Sequence, residues 1–381
     1  MADQPLAPVH ATNIINQQVL TQNSTSKRRS KKKTNITPKK KTQTTIPFTE
    51  QNPQSNKENS ANIPSAGTTQ NQDRGSGDMP VEIDEDQVLR LLSKNPRGFN
   101  LNPSNDSKIS TGIEYLRDMQ TGIFVAQETN TDWKQSKLKE TLSKKLIKYW
   151  KHHNVTTSVS TTIPKKTQRL QKSQFLPGGT LTAVLGKWKS RVMSSGSDKT
   201  QGRWSWVRPQ GNSPTGGKER NIRIINMYRV CQKNVTDSSY TSYMQQYNTQ
   251  LKEGNATPLP RQQAIKDLMR FIEECKKKGD EIILCLDANE EIQEGRKKIT
   301  NTITQLVKNN ALVCAHKFLG YKSGTSQISG KQIDHILVSP GILPSIIRGG
   351  YRPYAEGITS DHRALFLDFD AEILFGKGTG E

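Results

Sequence analysis

Strand-length apolar runs, each with an acidic motif at one end, are the feature that most narrows what this chain can fold into. The run 282–286 leads into Asp287-Ala288-Asn289, and Ile333-Asp334-His335 opens a run that continues to residue 338. Ser360-Asp361-His362 stands just ahead of Leu365-Phe366-Leu367, and much earlier Phe124-Val125-Ala126 leads into Gln127-Glu128. Short continuous apolar runs read as strands buried on both faces, so the acidic groups fall at strand ends. Carboxylates brought together from strand ends, with a histidine beside one of them, are what metal-assisted phosphodiester cleavage requires.

Composition separates this part of the chain from the rest. Only 31% of the residues are hydrophobic, low for a chain folded from end to end, so part of it is expected to be disordered. Residues 1–80, rich in Asn, Gln, Ser, Thr, Lys and Pro, are that part: a basic, low-complexity tail. It carries Lys27-Arg28-Arg29-Ser30-Lys31-Lys32-Lys33 and Lys39-Lys40-Lys41, which read as a nuclear-import signal or nucleic-acid arm. The net charge of +21 points to a polyanionic partner. A membrane is not expected, because no apolar stretch reaches transmembrane length and no secretory signal opens the chain. The expectation is an intracellular protein, in nucleus or cytoplasm. The four cysteines (Cys231, Cys275, Cys285 and Cys314) form no CxxC pair, and Cys275 and Cys285 read as buried free thiols of a reducing compartment.

Periodicity assigns the elements. Residues 122–127, 180–185, 282–286, 333–338 and 364–369 read as strands, and 203–207 with 222–227 as a hairpin around a Pro/Gly-containing loop. Residues 81–92 are expected to contain a helix leading into the folded part. Asp132 is expected to cap a helix bearing Leu138, Leu142, Leu146 and Tyr149. The clearest helix spans residues 260–278, with Pro260 in its first turn and Gly279 as its stop; a shorter one is expected over 296–309. Trp188, Trp204 and Trp206 read either as base-stacking groups or as core.

The ordered set Gln127-Glu128, Gly178-Gly179, Asn226-Met227-Tyr228, Asp287-Ala288-Asn289, Ile333-Asp334-His335 and Ser360-Asp361-His362 resembles the endonuclease/exonuclease/phosphatase family. It looks most like the apurinic-endonuclease-like domain of non-LTR retrotransposons. The resemblance implies an α/β fold: a DNase-I-like, four-layered sandwich of two packed mixed β-sheets flanked by helices. That domain is expected over residues 95–370, followed by a tail over 371–381.

The resemblance also implies roles. Glu128 and Asp361 would hold a metal ion, Mg²⁺ with Mn²⁺ as the alternative. An Asn of the first motif would join them; Asn100 and Asn102 compete for that place, and Asn102 is favoured. Asp287 would polarise the attacking water, and Asn289 would bind a phosphate oxygen, both lying on the same side of an extended chain. Alternatively Asp287 and Asn289 form an Asx turn. His362, oriented by Asp334, would donate to the scissile phosphate, and Tyr228 would contact phosphate or Asn289. Neighbouring His335 reads as structural. The family usually has Gly before the Asp of this motif, where Leu286 stands here, a departure that bears on the catalytic turn. The implied activity is Mg²⁺-dependent nicking of DNA (RNA being the alternative) by metal-activated water, leaving a 5′-phosphate and a 3′-hydroxyl. A longer polyprotein with a reverse transcriptase would use that 3′-hydroxyl. The competing readings are a phosphatase of inositol phosphates or phospholipid headgroups, and a nucleic-acid-binding protein with a dead site.

Overall fold

The computed structural model describes residues 73–99, 107–159, 175–211, 221–232, 241–293 and 301–376. The first part of the chain forms β1 (Ser76–Gly77), β2 (Val88–Lys94), α1 (Ser107–Asp118), β3 (Ile123–Ala126), α2 (Ser136–Leu146), β4 (His153–Ser158) and β5 (Thr180–Leu185). Next come β6 (Val192–Ser197), β7 (Trp204–Pro209), β8 (Asn221–Tyr228), α3 (Ser242–Lys252), α4 (Pro260–Lys277) and β9 (Asp280–Asp287). The last are α5 (Thr302–Asn309), β10 (Val313–Cys314), α6 (Ala315–Phe318), β11 (Asp334–Val338), β12 (Ile346–Tyr351), β13 (Leu365–Asp370) and α7 (Ala371–Phe375).

The strands make two sheets, in the orders β1-β12-β13-β2-β3-β5-β4 and β10-β11-β9-β8-β7-β6. Both are mixed: β2 runs parallel to β3, and β8 parallel to β9, while the other pairings are antiparallel. Alternation along each strand explains the layering. Leu89, Leu91, Ile123, Val125 and Val184 of one sheet meet Ile222, Ile224, Ile283, Cys285 and Ile336 of the other in a central core. The intervening residues of the first sheet, Leu92, Phe124, Leu181 and Ala183, pack instead against Ile109 and Ile113 of α1 and Leu138 and Leu142 of α2. Ile225, Met227, Leu284 and Leu286 of the second pack against Ile265, Leu268 and Ile272 of α4 and Leu306 of α5. The four-layered α/β sandwich is therefore present. Among the described residues no helix is long and apolar enough to cross a membrane.

Several expectations need correction. The run within residues 81–92 is not a helix; Val88 to Lys94 is strand β2, set between β13 and β3. Its leucines occur on both faces because both faces are covered, which blurs the period that would separate strand from helix. Residues ahead of 95 therefore belong to the sheet, including Ser76 and Gly77 paired with Tyr351 and Gly350. At the other end, residues 371–375 are α7 rather than tail, with Leu374 and Phe375 buried and Phe375 stacked on Trp188 at 5.7 Å. Asp132 does not cap α2. It caps the turn ahead of it, accepting from Lys134 N at 3.2 Å. The expected helix over 296–309 begins at Thr302, capped by Asn301; residues 294–300 lie outside the described residues, as do 1–72 and 377–381. The hairpin is β7–β8, and α4 starts with Pro260 and ends just before Gly279, whose φ of 82° stops it. Trp188 and Trp204 are core residues, and Trp206 packs against Phe271.

Candidate active site

Strand register assembles the site. In the second sheet Tyr228 pairs with Asp287, and Asp287 with Asp334, so the ends of β8, β9 and β11 set these three residues in one row. In the first sheet β2 and β3 run parallel, and Asn95 and Glu128 follow their ends. Asp361 and His362 lie just ahead of β13, which is antiparallel to β2 and so starts at the same edge. Both sheets thus deliver polar groups to one end of the sandwich.

Asn95 ties the two halves together. Its Nδ2 donates to Glu128 Oε2 at 3.0 Å and to Asp287 Oδ2 at 2.8 Å, and lies 3.4 Å from His362 Nε2. Its Oδ1 accepts from Arg97 N at 2.7 Å, and its carbonyl accepts from Ser360 Oγ at 2.7 Å. Asn100 and Asn102, the two candidates for the first-motif amide, lie outside the described residues. The amide that sits among the carboxylates is Asn95. The misread run before it hid this residue: taken as a strand, 88–94 would have marked Asn95 as a strand-end group like Glu128 and Asp287.

The loop of Glu128 is held from behind. Glu128 has a φ of 48°. The flanking Thr129 and Asn130 donate their N–H groups to Gly179 O (3.1 Å) and Gly178 O (2.8 Å). Gly178 and Gly179 have φ of 83° and 80°, and a Cβ on Gly179 would stand 2.8 Å from Ser158 O. Asn226, fully buried, accepts from Gln127 at 2.8 Å and donates to the carbonyls of Ala126 (3.0 Å) and Leu181 (2.8 Å), which fastens one sheet to the other directly behind the site.

His362 Nδ1 and Asp334 Oδ2 are 2.8 Å apart, both side chains buried. Burial opposes protonation of the ring. The charge of Asp334 and its hydrogen bond, with the charges of Asp287 and Asp361, outweigh burial and push His362 up to about 10. With both ring nitrogens protonated, Nε2–H cannot bond to the Asn95 amide hydrogens beside it and is free to donate to a substrate oxygen. Asp287 moves the same way for a different reason. Burial first, then the charges of Asp334 and Glu128, raise it to about 8, against the pull of His362 and of the Asn289 N–H.

Of the two readings of Asp287 and Asn289, the Asx turn is the one observed. The chain is not extended there: φ is 49°, and Asp287 Oδ1 accepts from Asn289 N at 3.0 Å in an Asx turn. The Asn289 side chain donates to Arg229 O at 2.7 Å, on the wall of the cleft. Tyr228 is buried, its hydroxyl raised well above 10 by burial and the nearby charges of Glu128, Cys231 and Asp287, so it remains a donor. Asp361 pairs with Arg97 Nη1 at 2.9 Å. Leu286 points into the α4 layer and is 1% exposed, so its bulk is spent in the core rather than on the turn. His335 is buried, 3.2 Å from Glu290 O, as a structural histidine.

Arg97, Glu128, Tyr228, Asn289, Asp361 and His362 line a cleft of about 650 Å³, together with the exposed Lys331, Phe175 and Ile328. Ligand atoms of Asp287, Asp334 and His362 lie within 4.8 Å of one another. His362, protonated and paired with Asp334, has no lone pair for a cation, so the donors that suit a hard divalent ion are carboxylate oxygens, and Glu128 is the half-buried carboxylate that faces the cleft.

No family model and no curated protein sequence matches the chain. Solved structures do. The AP endonuclease LMAP from Leishmania major superposes with a TM-score of 0.52 at 12% identity, covering 76% of this chain and 89% of that one. The catalytic domain of Xenopus laevis APE2 gives 0.50 at 14% identity, covering 74% and 92%. The chain has the endonuclease/exonuclease/phosphatase, or DNase-I-like, fold.

Proposed function

We propose that this protein hydrolyses phosphodiesters in DNA as a Mg²⁺-dependent endonuclease of the retrotransposon type. The observation that carries the reading is the buried His362–Asp334 pair facing Asp287, with one amide, Asn95, holding Asp287 and Glu128 together. A divalent cation held at Glu128 would neutralise charge on the phosphoryl oxygens and ease ionisation of a water. In its ionised form Asp287, which becomes the major form only as pH rises through about 8, takes the proton of the attacking water. His362 donates from Nε2 to a non-bridging oxygen as negative charge accumulates there. Asp334 keeps that ring oriented and protonated, and Asn95 ties Glu128 and Asp287 to each other in fixed positions. The bond from phosphorus to the 3′ oxygen breaks, leaving a 5′-phosphate and a 3′-hydroxyl that a polymerase can extend.

The substrate preference follows from charge. A chain with net charge +21 and basic residues at the cleft suits a polyanion, and the AP endonuclease fold-mates act in the same sense. The test compares an end-labelled duplex, a duplex with an abasic site and an inositol polyphosphate as substrates. The expected result is internal cleavage of intact duplex to ends that a polymerase extends without further treatment. Phosphate release from the inositol polyphosphate, with no cleavage of either duplex, would replace the nuclease by a phosphatase.

A further inference from the structure

Arg97 is a charged group of the cleft that the reaction outlined above leaves unused. Its place is built rather than incidental. Arg97 has a φ of 51°, a left-handed conformation that side-chain-bearing residues seldom adopt. It is held there by its own N–H, which donates to Asn95 Oδ1 at 2.7 Å, and it is framed by Pro96 and by Gly98 with a φ of 104°. One asparagine thus fixes both the carboxylates and the backbone that aims this arginine. The guanidinium meets Asp361 Oδ2 at 2.9 Å, yet the Arg97 side chain is 60% exposed against 16% for Asp361. Among the described residues its guanidinium bonds to Asp361, and Arg97 lines the cleft with donors beyond that bond.

Asp361 is correspondingly closed. Its Oδ2 is covered by the guanidinium, and its Oδ1 is buried with no partner among the described residues. A divalent ion that took Asp361 Oδ2 as a ligand would have to displace Arg97 from it. Two-ion phosphodiesterases hold ions about 3.5–4 Å apart, one on the attacking and one on the leaving oxygen. Here one side of the cleft offers the carboxylate of Glu128, and the other offers a guanidinium, whose planar fork matches two phosphate oxygens and whose charge is permanent.

We propose that Arg97 is a phosphate-binding residue of this cleft, its guanidinium standing where a second divalent ion on Asp361 would otherwise stand, so that the site takes a single ion at Glu128. The proposal rests on the nuclease reading. A bland alternative is an exposed ion pair, which contributes little to anything.

The experiment uses the full chain and two readouts that need no turnover. The first is duplex affinity in EDTA across a series of salt concentrations, for wild type, Arg97→Gln and Arg97→Lys. Loss of one phosphate contact predicts roughly tenfold weaker binding for Arg97→Gln and a salt slope smaller by about one. Arg97→Lys keeps the slope while losing part of the affinity. The second is Mn²⁺ stoichiometry by electron paramagnetic resonance, with one ion expected for wild type and two for Arg97→Asp, which frees Asp361. Two ions on wild type, or an unchanged slope in Arg97→Gln, overturns the proposal while leaving the nuclease reading intact if wild type still cuts DNA. A wild type that neither binds nor cuts duplex overturns both.

Discussion

At the residue scale two groups of the site, Asp287 and His362, are held away from their ordinary protonation, which makes stability depend on pH. Asp287 is raised from 3.8 to about 8 by burial and by the neighbouring carboxylates. The folded state keeps a proton that the unfolded chain has lost, so stability falls as pH rises from about 4 through about 8. His362, raised from 6.5 to about 10 by charges that outweigh its burial, contributes stability that is full below 6.5 and is lost as pH rises through about 10. The two effects act in the same direction. The metal-free protein is therefore expected to melt at progressively lower temperature between pH 5 and pH 9. Asp287→Asn, which removes the buried ionisation, should raise stability at pH 8 by on the order of 1–2 kcal/mol while abolishing cleavage. Thermal melts in EDTA at both pH values check this; an unchanged or lower melting temperature for Asp287→Asn at pH 8 would count against a strained carboxyl. Most of these residues were legible in the sequence, since Glu128, Asp287, Asp334 and His362 each border an apolar run. Asn95 and Arg97 were not, because they carry no acidic flag and follow a run that reads equally as helix or strand. The left-handed turns at Arg97 and Glu128 were illegible for a related reason: neither is glycine, whereas the turn at Asn289 was one of the two readings its residues allowed.

At the element scale, strand register and close backbone approach do the positioning. β3 and β9 carry continuous apolar runs, which identify strands well when an acidic or amide group marks their end. They identify β2 poorly, where Arg90 and Lys94 are interleaved among the leucines. Both of those charges are satisfied inside: Arg90 pairs with Asp368 at 2.7 Å, and Lys94 donates to the carbonyl of His362, under the catalytic loop. Burial draws Lys94 down to about 8. The glycine pair at the end of the loop before β5 belongs to the site although it touches no substrate. Gly179→Ala would place a methyl 2.8 Å from Ser158 O at a φ of 80°, and Gly179 O is what Thr129 N, next to Glu128, bonds to. The substitution is expected to destabilise the fold by about 1–3 kcal/mol and to weaken Mn²⁺ binding through Glu128. Chemical denaturation and Mn²⁺ titration measure the two effects, and a variant as stable and as tight as wild type would remove the glycine pair from the account.

At the scale of the whole molecule, two sheets packed through one core bring the ends of β2, β3, β8 and β9 to a single edge. Chemistry from residues more than two hundred apart in the chain, Asn95 and His362 among them, then shares one cleft. The resemblance of the ordered motifs implied this layered architecture, and the structure adds which residues of each strand face the central core and which face the helices. The excess of positive charge would favour a nucleic-acid backbone as the partner of the proposed activity and would make that binding sensitive to salt. The most direct measurement of the central claim is nicking of supercoiled plasmid by the purified protein, with Mg²⁺ and with EDTA, beside Glu128→Gln and His362→Ala. The account predicts nicking by wild type in Mg²⁺ alone, reduced at least about a hundredfold in each variant. Nicking that persists in EDTA, or that survives both substitutions, would contradict it.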